Sequence, residues 1–239
     1  MGNIVSGESP QGLKKLGGRL FIVATPIGNL SDITFRAVET LKGVDFIAAE
    51  DTRTSSVLLK HLGISKPMVS FHSHSGTNRS QELVGRIAHG ATAALITDAG
   101  TPGISDPGYT LVRDAVSAGV EVIPIPGATA FVAALSASGL RTDRFIFEGF
   151  LPLKKGRQKK LQQLSSESRT IVFYESPHRI EKTLLELAKY FGERRCVVAR
   201  ELTKIHESFY RGTFSEVLKM ISPGEKRGEF VIVVEGSDE

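Results

Sequence analysis

Charged side chains stand beside short apolar runs at several points where the chain is predicted to leave a β-strand. The segment Ala49–Thr54 (AEDTRT) places Glu50, Asp51 and Arg53 directly after one such run. A carboxylate accepts protons in catalysis, and a guanidinium binds phosphate or orients a hydroxyl. The structural alternative is that Asp51 or Thr52 caps the helix that follows.

The loop Thr97–Gly108 (TDAGTPGISDPG) is the most specialised of these segments. Three glycines and two prolines fall within its twelve residues, and Asp98 adds a carboxylate near its start. Glycine lets the main chain approach a ligand closely, and proline stiffens the path of the chain. A simple crossover needs neither, so this loop is predicted to lay main chain against a ligand. Asp106 and Pro107 are predicted to start the next helix.

Four further loops follow predicted strands. They are Thr25–Asn29 (TPIGN), Pro124–Ala130 (PIPGATA), Phe173–Arg179 (FYESPHR) and Ala199–Lys204 (ARELTK). Ligands of parallel α/β sheets bind at the carboxyl ends of the strands, so these loops are candidate binding elements. The sequence contains no Gly-x-Gly-x-x-Gly fingerprint, P-loop, Gly-x-Ser-x-Gly elbow or Cys-x-x-Cys pair. Dehydrogenase, NTPase, serine hydrolase and dithiol redox functions therefore lack support.

Short apolar runs alternate with amphipathic segments through the first half of the chain. The predicted strands are Arg19–Thr25, Val44–Ala49, Met68–Phe71, Ala91–Thr97 and Val120–Ile125. The predicted helices are Asp32–Lys42, Ser55–Leu62, Arg79–His89, Tyr109–Ala118 and Ala128–Ser138. This alternation predicts βα units on a largely parallel sheet.

The second half mixes its elements differently. An aromatic cluster of Phe145, Phe147 and Phe150 introduces it. The predicted strands are Thr170–Tyr174, Arg195–Arg200, Glu207–Arg211 and Phe230–Val234, and the predicted helices are Lys155–Ser165, Pro177–Phe191 and Thr213–Ile221. This order predicts a second α/β domain with some antiparallel pairing. The expected organisation is a flexible tail at 1–18, an N-terminal domain at 19–135 and a C-terminal domain at 136–239.

Composition restricts the class of protein. A hydrophobic fraction of 41% in 239 residues supports packed cores, and the single cysteine, Cys196, excludes a disulfide framework and a cysteine-based zinc site. His72 and His74 lie two positions apart without a third ligand nearby, so no metal site is predicted. The sequence lacks an apolar stretch of ~20 residues and a secretory signal, so we expect a cytoplasmic protein without membrane association.

The net charge of +4 is unevenly distributed. Residues 1–140 hold 11 basic and 11 acidic side chains, whereas residues 141–160 hold seven basic and two acidic ones. Much of this local excess lies in one run, whose basic residues are Lys154, Lys155, Arg157, Lys159 and Lys160. Such a run suits contact with a phosphate backbone, although a solvated helix start gives the same pattern.

Taken together, the strand-end loops resemble those of the tetrapyrrole-methylase superfamily, also called class III methyltransferases. The resemblance runs in order from Arg19 to Gly236. The amino-acid sequences of the loops are similar to those of the branch that 2′-O-methylates a cytidine of 16S ribosomal RNA. The corrin and sirohaem methylases instead tend to carry Gly-x-Gly-Pro-Gly after the first strand, where this chain has Pro26 and Gly28.

The resemblance implies two α/β domains with S-adenosylmethionine bound in the cleft between them, and a homodimer. It implies a specific set of cofactor contacts: Pro26, Ala99, Gly100, Thr101, Ile104, Thr129, Ala130, Tyr174, Glu175 and Leu202. The implied substrate is 16S ribosomal RNA in the small ribosomal subunit. DNA is not expected as a substrate, because it lacks the 2′-hydroxyl.

In-line transfer of a methyl group to a ribose hydroxyl needs alignment and a proton acceptor. The candidate catalytic residues are Glu50, Asp51, Asp98, Arg200 and Glu201, and Glu175 is a further carboxylate that could act as the base. The candidate RNA-binding residues are Arg53, Lys154, Lys155, Arg157, Lys159, Lys160 and Lys204. Two alternatives remain open: methylation of a tetrapyrrole, and a non-catalytic RNA-binding role in ribosome assembly.

Overall fold

The computed structural model of the chain describes residues 18–72, 76–106, 108–221 and 227–237. Nearly all of the predicted tail at 1–18 lies outside the described residues, as do His74 and Pro107.

Five parallel strands form the first sheet, in the order β3-β2-β4-β1-β5. They are β1 (Arg19–Val23), β2 (Phe46–Ala49), β3 (Met68–Ser70), β4 (Ala93–Ile96) and β5 (Glu121–Ile125). The helices of this half are α1 (Phe35–Gly43), α2 (Thr52–His61), α3 (Gly76–Ala88) and α4 (Gly108–Ser117). Every residue of β2 and β4 is buried, as is typical of central strands in a parallel sheet.

The second sheet is mixed, in the order β6-β7-β10-β8-β9. Its strands are β6 (Phe145–Phe150), β7 (Thr170–Glu175), β8 (Arg195–Arg200), β9 (Ser208–Thr213) and β10 (Phe230–Val234). The remaining helices are α5 (Ala130–Ser136), α6 (Arg157–Leu164), α7 (Ile180–Phe191) and α8 (Phe214–Met220). β6 runs parallel to β7, whereas β10 is antiparallel to β7 and β8, and β9 is antiparallel to β8.

The two faces of the second sheet are buried by different helices. Ile171 and Phe173 of β7 join the core formed with α6, α7 and α8. Val172, between them, joins the core formed with α5, because successive side chains of a strand point to opposite faces. Helix α7 buries residues three or four positions apart, from Ile180 to Phe191, which is the pattern of an amphipathic helix.

The structure confirms the parallel βα organisation of the first half and the antiparallel pairing in the second. It also contains a strand that the sequence did not predict, β6. The register of β6 against β7 shifts between Phe147 and Gly149. This irregularity breaks the alternation by which strands are recognised, so the sequence indicates only an aromatic cluster here.

Two compact units divide the chain. The first comprises residues 18–23, Val38–Asp98 and Asp106–Ile125, and the second comprises Ala24–Ala37, Ala99–Ser105 and the chain from Pro126 onward. The loops after β1 and β4 thus belong to the second unit, which the sequence did not predict. The cut after Ile125 precedes the expected boundary at 135/136, because α5 contacts β7 and β10.

Among the described residues, no helix has both the length and the apolar character that a membrane crossing requires.

Arg157, at the start of α6, has an internal role. Its guanidinium forms an ion pair of 2.6 Å with Glu186 and donates hydrogen bonds to the Thr183 hydroxyl and to the Pro152 carbonyl. Only 8% of its side chain is exposed. This contradicts the prediction that Arg157 contacts RNA, because a guanidinium engaged in this way is not available to a phosphate.

Replacing Arg157 with alanine should destabilise the protein by about 3 kcal/mol, because Glu186 and the buried Thr183 lose a partner together. Chemical denaturation monitored by circular dichroism measures this change. Lys159→Ala, at an exposed position two residues away, is the matched control and should change stability by less than about 0.5 kcal/mol. Equal stabilities of the two variants would contradict a structural role for Arg157.

Candidate active site

Three of the predicted catalytic carboxylates lie together in the first unit. β2 and β4 are neighbours, so Glu50 and Asp51, which follow β2, meet Asp98, which follows β4. The Asp51 amide donates to the Asp98 carboxylate at 3.2 Å, and the Thr97 hydroxyl donates to the Glu50 carboxylate. Hydrogen bonding therefore fixes these carboxylates relative to one another.

Asp51 is committed to its own helix. It is the N-cap of α2, accepting from the Arg53 amide at 2.8 Å, and its carboxylate also binds the Arg53 guanidinium. These contacts lower the pKa of Asp51 to about 2. The capping alternative is thus correct for Asp51, and so weak a base is poorly suited to accept a proton.

Asp98 differs from its neighbour. Burial raises the pKa of Asp98 above its usual value, and the negative charges of Glu50 and Asp51 raise it further, against the opposing effects of the Asp51 amide and Arg53. Asp98 as a whole is nevertheless exposed to solvent. An accessible carboxylate with a raised pKa is a better proton acceptor than an ion-paired one.

In the second unit, the loops after β1 and β4 are joined by main-chain hydrogen bonds. The Thr25 amide donates to the Gly100 carbonyl at 2.9 Å, and the Gly100 amide donates to the Thr25 carbonyl at 3.1 Å. Gly100 has a φ of +89°, and a Cβ added there would lie 3.3 Å from Ile27. The sharp turn and the close approach both favour glycine at this position.

The loop after β5 joins the same arrangement. The Thr101 hydroxyl donates to the Ala128 carbonyl at 3.1 Å and lies 2.7 Å from the Thr129 hydroxyl. Thr129 is the residue immediately before α5. Hydrogen bonds therefore link the loop after β1 to the loop after β4 through main-chain atoms, and the loop after β4 to the loop after β5 through the Thr101 hydroxyl.

Tyr174 brings the end of β7 to the start of α5. Its hydroxyl accepts a hydrogen bond of 3.2 Å from the Phe131 amide, one of the amides at a helix start that have no partner within the helix. Burial raises the pKa of Tyr174, so the phenol stays neutral at physiological pH.

The loop after β8 has an unusual backbone. Glu201 and Thr203 have φ of 52° and 65°, a region that side chains other than glycine seldom adopt. Lys204 donates to Glu201 at 2.8 Å and to Glu229 at 3.2 Å. A Cβ at Gly28 would lie 2.5 Å from the Lys204 side chain. The loop after β1 therefore packs directly on this strained loop.

Glu201 is a weak base because its pKa is lowered. Its partial burial alone would raise the pKa, but hydrogen bonds from Lys204 and from the Glu229 amide hold the pKa of Glu201 below its usual value. Arg200, the other catalytic candidate here, donates from Nε to the Arg227 carbonyl at 3.0 Å.

Thr203 adds a second unusual feature to this loop. Its hydroxyl is buried and has no hydrogen-bond partner among the described residues. Buried polar groups are seldom left unpaired, and strained backbone gathers at ligand sites. Both observations concern Thr203, so its loop is a candidate site for a polar ligand.

The ten residues predicted to contact a cofactor all belong to the second unit. Among them Pro26 is buried, Ile104 is 38% exposed, and Leu202 packs in the core with Ile27. The carboxylate of Glu175 is fully buried and binds Arg179, Thr183 and the Ser176 amide, so it is poorly suited to proton transfer. Contact of this residue with a cofactor stays a prediction.

The predicted RNA-binding residues divide into two groups. Lys154, Lys155 and Lys159 are exposed, and no described acidic side chain pairs with them. The others have internal partners: Arg53 binds Asp51, Arg157 binds Glu186, Lys160 binds Glu148, and Lys204 binds Glu201 and Glu229. Within the described ranges, no group of three or more His, Cys, Asp or Glu residues is arranged to hold a metal ion.

Sequence reasoning missed several residues of this site. Thr25 pairs with Gly100 across 75 positions, and Glu229 reaches Lys204 only because β10 lies beside β8. The positive φ of Thr203 had no signal in the residue type. The contact of Gly28 with Lys204 likewise has no signal in the sequence.

The chain is similar to known proteins over most of its length. The family described as Tetrapyrrole (Corrin/Porphyrin) Methylases matches residues 19–218. "Ribosomal RNA small subunit methyltransferase I" of Synechocystis is 54% identical over 222 residues, covering 92% of this chain and 80% of the relative. The protein of the same name from Haemophilus influenzae is 51% identical over 225 residues, with 92% and 80% covered.

A solved structure shares the fold. The cobalamin biosynthetic enzyme cobalt precorrin-4 methyltransferase superposes with a TM-score of 0.68 at 19% identity, covering 95% of this chain and 98% of that one. With the family matched over most of the chain, and with two relatives at more than half identity, the chain belongs to the tetrapyrrole (corrin/porphyrin) methylase family.

Proposed function

We propose that this protein transfers a methyl group from S-adenosylmethionine to the ribose 2′-hydroxyl of a cytidine in 16S ribosomal RNA. The observation that supports this most strongly is the identity of 54% and 51%, over 92% of the chain, to proteins named for methylation of small-subunit ribosomal RNA. We further propose that it acts as a homodimer in the cytoplasm, as the family resemblance implies.

The composition of the loops in the second unit supports S-adenosylmethionine as the proposed cofactor. Main chain at Ala99, at Thr101 and around Thr129 would offer amides and carbonyls to an adenosine, whereas the Gly100 amide and carbonyl bind Thr25. The unpaired hydroxyl of Thr203 and the neutral phenol of Tyr174 add polar groups. Leu202, Ile27 and Ala130 supply apolar surface. Such a mixture of apolar walls and few polar groups is typical of cofactor sites.

When bound, S-adenosylmethionine supplies an electrophilic methyl group on a sulfonium that leaves readily. The residues of the chain are then required to align the ribose and to receive its proton. Arg200 is proposed to orient the ribose or its phosphate through the positive charge of its guanidinium. The rigid loops hold the cofactor, since their mutual hydrogen bonds limit their movement.

Asp98 is the proposed proton acceptor. Asp51 and Glu201 have lowered pKa values and cationic partners, whereas the pKa of Asp98 is raised. Glu50 positions Asp98. Its carboxylate accepts hydrogen bonds from the Thr97 hydroxyl and from the Asp98 amide, which fix the conformation of this turn.

The proposal is tested by incubating the protein with radiolabelled S-adenosylmethionine and small ribosomal subunits that lack this modification. Nuclease digestion should place the label in a 2′-O-methylcytidine.

Gly100→Val should abolish both labelling and cofactor binding, because a branched side chain meets Ile27 and disfavours the positive φ.

Gly85→Ala is the matched control, since a Cβ at Gly85 meets no atom within 4 Å. It should leave labelling and cofactor affinity unchanged. Label in a base, or in a tetrapyrrole but not in RNA, would overturn the proposed substrate, and failure to bind S-adenosylmethionine would overturn the proposed reaction.

Asp98→Asn should lower kcat by about 100-fold with little change in cofactor affinity, because it removes the proton acceptor while retaining the side-chain volume. The folded-state pKa of Asp98 is raised, so the wild-type rate should fall as the pH drops through that pKa, and the variant should lack this acidic limb. Asp143→Asn, an exposed acid, is the control. An unchanged kcat would exclude Asp98.

Replacing Lys154, Lys155 and Lys159 together with alanine should weaken RNA binding and flatten its salt dependence. Three lost phosphate contacts should reduce the slope of log K against log salt by about 2 for single-stranded RNA. The control replaces three exposed lysines elsewhere, Lys60, Lys182 and Lys219. Filter binding at several salt concentrations measures both slopes, and equal slopes would argue against this contact.

A further inference from the structure

Five aromatic rings form a continuous row in the second unit, which we call the aromatic row. Its members in spatial order are Phe145, Phe131, Phe147, Tyr174 and Phe150. Successive ring centroids lie 6.1, 4.4, 5.0 and 5.6 Å apart, which is the spacing of interacting aromatic pairs. The row runs along β6, an edge strand of the second sheet.

A bulge in β6 creates this row. Phe145 and Phe147 pair with Thr170 and Val172 of β7, on the face covered by α5. Phe150 lies three positions after Phe147, so regular alternation would send Phe150 to the opposite face. The register shift before Gly149, whose φ is +61°, pairs Phe150 with Tyr174 instead and keeps all three rings on one face.

The ends of the aromatic row reach solvent. Phe145 is 40% exposed and Phe150 is 53% exposed, and Leu153 beyond them is 73% exposed. Apolar side chains of this size are usually covered, and their exposure along one edge marks a binding surface.

Cationic side chains stand at the same end of the strand. Lys154, Lys155 and Lys159 follow β6 within nine residues of Phe150, and all three are exposed. The connecting segment is held in place, because Arg157 binds the Pro152 carbonyl and Lys160 of α6 binds Glu148 of β6 at 2.6 Å. The segment that carries the lysines is thereby anchored to β6.

We propose that the aromatic row is a stacking platform for the bases of single-stranded RNA, whose phosphates are bound by Lys154, Lys155 and Lys159. This inference rests on the proposed function and extends it by naming the surface and the form of RNA that it takes. Bases stack on aromatic side chains only when they are unpaired, and flanking cations bind the backbone.

Charge selects RNA over a protein partner. Beside the aromatic row, the lysines have no acidic partner among the described residues. The two acids of residues 141–160, Asp143 and Glu148, are paired with Arg141 and Lys160. A basic surface interleaved with exposed rings offers both interactions that a single strand provides, stacking and phosphate contact.

The test compares wild-type protein with Phe145→Leu and Phe150→Leu, using fluorescence anisotropy at fixed salt. The probes are a short single-stranded RNA and a ribose-phosphate strand of equal length without bases. Each substitution should weaken binding of the RNA by at least about fivefold and leave binding of the strand without bases unchanged. Phe35→Leu, at a 94% exposed phenylalanine outside the row, should change neither.

Equal affinities of wild type and both variants for the RNA would overturn the inference. So would a change of oligomeric state in the variants, measured by light scattering, with RNA affinity unchanged, because the row would then be an interface between copies. Cofactor titration of Phe150→Leu distinguishes loss of the RNA surface from damage at Tyr174. If ribosomal labelling fails while oligonucleotide stacking persists, the proposed function fails and the platform stands.

Discussion

Two main-chain hydrogen bonds join Thr25 to Gly100, and the arrangement of the second unit's loops depends on them. They fasten the loop after β1 to the loop after β4, and Thr101 extends the connection to Ala128 and Thr129 before α5. Gly28 then packs on the strained loop after β8. Because the links use main-chain atoms and conformations that favour glycine, the site is rigid before any ligand arrives, and rigid sites lose less entropy on binding.

The charged residues show how similar side chains acquire different roles from their surroundings. Asp51 and Asp98 touch each other, yet one is held ionised by an arginine and the other is partly buried among negative charges. Surroundings also distinguish Arg157, which is buried and paired with Glu186, from the neighbouring Lys159, which is exposed. The sequence assigns both residues the same charge. Their burial, which the sequence does not show, decides which of them can contact a substrate.

The sequence predicted the βα order and both the parallel and the mixed sheet, because apolar periodicity is a local signal. It also predicted the loops that form the site, because glycine and proline at strand ends are visible in the sequence itself. It did not predict β6, since the bulge at Gly149 interrupts alternation. It also misassigned Arg157, which binds Glu186 and Thr183 of α7. Contacts that depend on strand order, such as that of Glu229 with Lys204, have no local signal at all.

Gly149 also contacts a second region of the molecule. A Cβ at this position would lie 3.1 Å from the Ser105 hydroxyl, and Ser105 itself has a φ of 63° at the end of the loop that begins with Ala99. A displacement of that loop by a bound molecule would therefore press on the turn that orients Phe150. Occupancy of the loop and occupancy of the strand edge would then be thermodynamically linked, and linkage of this kind is reciprocal: each ligand would change the affinity for the other by the same factor.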